Sequence, residues 1–329
     1  MLYHNTFIAR RVSLRYNLSW VALLSAILMF SSQAYADGIR IVSSIAPIHA
    51  IVVAVVGERA QADLLLKGSA SPHHFSLKPS HARMLQQADF VILVDPGLES
   101  FLEKPLRSFN DTQVLRLTDA PGIRLWETRK IGVLEKESIT SHSHSHHHGH
   151  DHDAHSDDLH LWLDPNNAIA VAEYLVGVLS KADPQGHPVY QTNFEQFQIR
   201  LEQISREVET QLKPYRNQSY VVFHDAFQYF EKRFDLRSPA VLTLNPEMAP
   251  SAKVVREIRD YLAHSDARCV YREPQFSPAI LDSLAEGLDV MTAELDPLGD
   301  SATVNKDYYP QMILAMARAF ESCFAQSGR

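Results

Sequence analysis

Residues 38–75 read GIRIVSSIAPIHAIVVAVVGERAQADLLLKGSASPHHF. The apolar run Ile39 to Ile45 predicts a mostly buried strand. Pro47 to Gly57 predicts a helix, opened by Pro and closed by Gly, and Ala62 to Leu66 predicts a second strand. A strand, a helix and a strand in so short a stretch define a parallel β-α-β unit. The alternation continues outward, with strands at Phe90 to Val94 and Val114 to Leu117 and helices at Pro79 to Ala88 and Leu98 to Ser108. A long helix is expected from Pro165 to Ala182 and a second from His187 to Leu212. Strands then return at Tyr220 to Phe223, Ala240 to Leu244, Cys269 to Tyr271 and Val290 to Glu294, with helices after Asp225, Pro250, Pro278 and Lys306. The fold class is α/β, with two lobes built on mostly parallel sheets.

The first residues carry Arg10, Arg11 and Arg15, an apolar run from Trp20 to Phe30, and Ala34-Tyr35-Ala36. This is the pattern of a secretory signal peptide over residues 1–36. A membrane anchor would need a longer apolar span, and with no Cys near the cleavage site the mature chain is expected to be free in the periplasm. The Arg pair leaves the export route, general or twin-arginine, open. Removing residues 1–36 takes away three Arg and no acid, so the formal charge moves from -8 to -11. Phosphate binding needs a basic footprint, so a nucleic-acid partner is excluded from the expectations. Export makes a disulfide between Cys269 and Cys323 the expected state of the two cysteines, against two buried free thiols.

Of 17 His, eight fall within SHSHSHHHGHDHDAHSDD at 141–158: His142, His144, His146, His147, His148, His150, His152 and His155. The tract has almost no apolar surface to bury and predicts a loop over 136–158. Its imidazoles, with Asp151 and Asp153, form a secondary metal-binding segment or, on the bland reading, a solvated spacer.

Three further His stand where strand-like segments end: His73 in SPHHFS, His160 in HLWLDP and His224 in VVFHDA. Ligands of open α/β sheets bind beyond the carboxyl ends of strands, so His73 and His224 are expected to meet between lobes, with His160 joining them. Three imidazoles favour Zn2+ over manganese. Asp296 in LDPLG is the candidate fourth ligand, with a turn-forming Asp before Pro as its structural alternative.

These motifs, in this order and with Pro79-Ser80 and Glu273-Pro274-Gln275-Phe276, resemble those of the solute-binding proteins that serve zinc and manganese ABC transporters, the periplasmic zinc-uptake members most of all. The resemblance spans the mature chain. It implies an N-terminal lobe over 37–163, one long rigid helix at 164–183 joining it to a C-terminal lobe over 184–329, and metal held between the lobes by His73, His160 and His224. Manganese-binding relatives place a carboxylate where His224 stands here. Zinc members can carry an acid just before the first ligand; here that residue is Pro72, which leaves the fourth position to Asp296, water or nothing. His74 adjoins the expected ligand, but neighbours on an extended chain point to opposite sides.

The expected function is capture of Zn2+ and delivery to a membrane permease, without catalysis. The ATPase would be a separate chain, because no phosphate-binding Gly-rich motif with Lys occurs here. The protein is expected to be a monomer that is not embedded in the membrane. The competing readings are a zinc hydrolase, with Asp225 or Glu273 as general base, and a zinc buffer or adhesin without a permease.

Overall fold

The computed structural model describes residues 38–129, 132–133, 157–299 and 304–327. Residues 1–36, expected as the signal peptide, and the eight His of the 141–158 tract lie outside them. The elements run β1 (Arg40–Ser43), α1 (Ala46–Val56), β2 (Gln61–Leu64), α2 (Pro79–Gln86), β3 (Phe90–Leu93), α3 (Glu103–Leu106), β4 (Val114–Arg116), β5 (Trp126–Glu127), β6 (Gly132–Val133) and β7 (Asp157–Asp158). Then come α4 (Pro165–Ala182), α5 (His187–Leu212), β8 (Tyr220–His224), α6 (Gln228–Phe234), β9 (Ala240–Thr243), α7 (Ala252–His264), β10 (Cys269–Arg272), α8 (Ala279–Ala285), β11 (Met291–Glu294) and α9 (Tyr308–Ser327).

Two sheets carry the fold. The first has strand order β2-β1-β3-β4 and is wholly parallel. The second has order β11-β10-β8-β9-β6, with β6 alone antiparallel. The class expected from the alternation is therefore the one observed. Strand β8 explains why such segments are almost uniformly apolar. Tyr220 and Val222 face a core shared with α5 and α9, whereas Val221 and Phe223 face a second core of Val254, Ile258 and Leu262 from α7 and Leu281 and Leu284 from α8. Successive side chains point to opposite faces, and both faces are covered.

Helix α4 has the bounds expected of it. Asp164 caps it by accepting from Asn166 N at 2.9 Å, and Pro165 occupies the first turn, where a missing N–H costs nothing. Its neighbour α5 is longer, at 26 residues. The helix expected over Leu98 to Ser108 is instead a 3-10 turn at Ser100–Leu102 followed by α3. A continuous helix would place Pro105 in its interior, where the ring clashes with the preceding turn and a hydrogen bond is lost.

The segment before the His-rich tract had no sequence signal for its path. Residues 132–133 add to the edge of the second sheet against β9, while β5 pairs with β7 in a two-stranded ribbon. Asp157 and Asp158, expected within the loop, are thus strand residues. Cys269, at the start of β10, is disulfide-bonded to Cys323 on α9, 54 residues away. Among the described residues no helix is long and apolar enough to cross a membrane.

Candidate metal centre

Each of the three His is delivered by a different local structure. His73 sits in the turn after the first sheet's β2, its backbone N–H donating to Ser71 Oγ at 3.3 Å. His160 follows β7 and opens the short 3-10 turn Leu161–Leu163. His224 is the last residue of β8, in the middle of the second sheet. Their ligating atoms all lie within 4.8 Å of one another. His224 is only 2% exposed and His160 7%, while His73 is half-buried with its Nε2 fully enclosed. The adjacent His74 is exposed, in a bend rather than on an extended strand.

Two carboxylates orient the rings. Asp158 Oδ1 accepts from His160 Nδ1 at 2.8 Å and from its backbone N at 3.0 Å. Glu273 accepts from His224 Nδ1 at 2.9 Å and 3.0 Å through its two oxygens. A proton held on each Nδ1 leaves both Nε2 atoms as bare lone pairs, and these face each other at 3.2 Å. Two lone pairs that close repel unless a shared proton or a metal cation lies between them. Ligands at zinc-nitrogen bond length around a tetrahedral ion would be separated by about 3.3 Å.

Burial and the neighbouring carboxylates set the charges on these groups. Burial, reinforced by the neighbouring His160 and His224, pushes the His73 ring down to about 2, so it is neutral and free to donate a lone pair. Burial also opposes charge on His224, but the Glu273 carboxylate outweighs it and the net shift is upward. For Asp158 burial pulls upward and is outweighed by the hydrogen bonds from His160 and Gln228, so this acid stays ionised below its ordinary range.

Asp296 is not brought into the group. Its Oδ1 accepts from Gln275 Nε2 at 2.7 Å and from Leu298 N at 3.0 Å. Asp225, one of two residues offered as a general base, is paired with Arg129, whose Nε lies 3.0 Å from Oδ2 and whose other arm reaches Glu231. The other, Glu273, is occupied by His224. The roles of Asp158, Arg129 and Gln275 were missed in the sequence. Asp158 could have been found as an acid two residues before a candidate ligand His, whereas Arg129 carries no local signal.

The family described as zinc-uptake complex component A, periplasmic, matches residues 41–323. The chain is 37% identical over 307 residues to the high-affinity zinc uptake system protein ZnuA of Haemophilus ducreyi, covering 92% of this chain and 98% of that one. It is 33% identical over 306 residues to the protein of the same name from Brucella suis, covering 87% and 92%. A crystal structure of ZnuA superposes with a TM-score of 0.71 at 22% identity, over 87% of this chain and 99% of the other. With the match spanning both sheets and all three His, the chain belongs to the family of the periplasmic component A of the zinc-uptake complex.

Proposed function

We propose that this protein captures Zn2+ between its two lobes with His73, His160 and His224 and delivers it to the membrane permease of an ABC-type uptake system powered by a separate ATPase. The observation that carries this reading is the approach of the Nε2 atoms of His160 and His224 to 3.2 Å, each ring fixed by a carboxylate on its far side. Nitrogen donors alone suit zinc, and a third imidazole with a buried, unpartnered Nε2 completes three of four tetrahedral positions. Zn2+ is cargo in this reading. It is held by imidazoles that reach it from separate segments, so parting of the segments would release it.

Capture without catalysis is favoured because the acids around the site are already engaged: Asp158 by His160, Glu273 by His224 and Asp225 by Arg129. A hydrolase needs a base able to reach a metal-bound water. The periplasm is the proposed compartment, with residues 1–36 as the export signal, and the working form is a monomer. The lobes are taken as 37–163 and 184–329 with 164–183 between them. The His-rich tract is proposed to recruit zinc weakly, as an accessory to the primary site.

The test is zinc-dependent growth and zinc accumulation in a strain lacking the gene, complemented with wild type or with His160→Ala. Transport predicts rescue by wild type alone. A buffer or adhesin predicts that zinc accumulation is unchanged by the deletion.

A further inference from the structure

Gln275 lines the same cavity as His73, His160 and His224. Its side-chain amide is oriented by a single strong contact, Nε2 donating to Asp296 Oδ1 at 2.7 Å. Only the NH2 end of an amide can donate to a carboxylate, so this bond decides which end is nitrogen and which is oxygen. The remaining end, Oε1, is buried and has no hydrogen-bond partner among the described residues. A buried carbonyl without a donor is costly and calls for one. Asp296 is itself steadied by the backbone N–H of Leu298 at 3.0 Å, so the chain Leu298, Asp296, Gln275 is a fixed support that ends in an unused acceptor.

We infer that Gln275 serves the fourth coordination position, its Oε1 accepting a hydrogen from the water that completes the zinc site left three-coordinate by the imidazoles. This deepens the proposed function and rests on it. A water bound to Zn2+ is polarised and donates strongly, which matches an acceptor-only partner. Direct ligation by Oε1 is the weaker alternative, because neutral amide oxygens suit harder cations such as Ca2+. Asp296 then acts as a positioning residue for Gln275, which accounts for its place one step behind the site.

The mature protein, its Gln275→Ala and near-isosteric Gln275→Met variants, and His160→Ala would each be loaded with Co2+. Visible d–d spectra and azide titration would follow, together with zinc affinity by chelator competition. The inference expects Gln275→Ala and Gln275→Met to keep one Co2+ in a four-coordinate environment. Azide should displace the water at roughly tenfold lower concentration, and zinc should bind roughly tenfold more weakly, the scale of one lost net hydrogen bond. Azide and zinc affinities within twofold of wild type in both variants would overturn it. A change of coordination number on substitution would also overturn it, by making Oε1 a direct ligand. Failure of wild type to bind Co2+, or tight binding by His160→Ala, would instead overturn the three-His reading beneath it.

Discussion

His224 and Glu273 form a buried pair in which the ring Nδ1 lies 2.9 Å and 3.0 Å from the two carboxylate oxygens. The pair joins the ends of adjacent parallel strands, β8 and β10, so the imidazole is held by the sheet itself. Loss of the carboxylate leaves the ring free to turn and its Nε2 a weaker base. Glu273→Gln is therefore expected to weaken zinc binding about 10- to 100-fold, the usual cost of removing a support of this kind. Asp158→Asn should do the same through His160. Competition with a calibrated chelator reads both, and affinities equal to wild type would contradict the orienting role.

The disulfide is expected to matter for stability. Cys269 and Cys323 close a loop with a sequence separation of 54, which in the chain-entropy account stabilises by about 4 kcal/mol. The Cys269→Ala, Cys323→Ala double variant should lose stability on that scale in urea unfolding. An unchanged midpoint, or two free thiols in alkylated protein purified from the periplasm, would contradict this.

His49 supplies a pH dependence. It is buried on α1, and burial, opposed by Asp63 and aided by Lys67, pushes its ring down from 6.5 to about 4. Between these values the folded chain binds fewer protons than the unfolded one. Its contribution to stability is therefore present above pH 6.5 and is lost as pH falls towards 4, by up to about 3 kcal/mol. The stability of His49→Leu relative to wild type should rise by that order between pH 7 and pH 4. A pH-independent difference would show that the ring titrates normally.

The His-rich tract, which lies outside the described residues, is expected to bind weakly. Ligands on a chain that must first be ordered lose affinity to that ordering, while many of them raise the local zinc concentration. Deleting 141–156 should leave one tight site and lower the total zinc bound at saturation in calorimetric titration. Loss of the tight site with an intact circular dichroism spectrum would make the tract part of the primary ligand set.

Much of this was legible in the sequence because the relevant signals are local. Strand β8 is an uninterrupted apolar run ending in His224, and Pro165 with Asp164 marks the start of α4. Of the three His, only His224 ends such a run; His73 lies in a turn beyond β2 and His160 follows the two-residue β7, so these two were legible from their short local motifs. What was not legible depends on long-range contacts. The acceptance of His224 by Glu273 spans 49 residues, and that of Arg129 by Asp225 spans 96. Strand β6 is only two residues long, with no periodicity to read. Asp296 looked like a ligand because it follows the last strand beside the site, yet its carboxylate is turned to Gln275 and Leu298.

Capture rests on His73, His160 and His224 together holding one zinc ion. Its most direct test is zinc affinity, by chelator competition with elemental analysis, of the mature protein, the three single His→Ala variants and the triple variant. One tightly held zinc is expected in wild type, a loss of several orders of magnitude in each single variant, and no tight site in the triple variant. A triple variant that keeps wild-type affinity would contradict it.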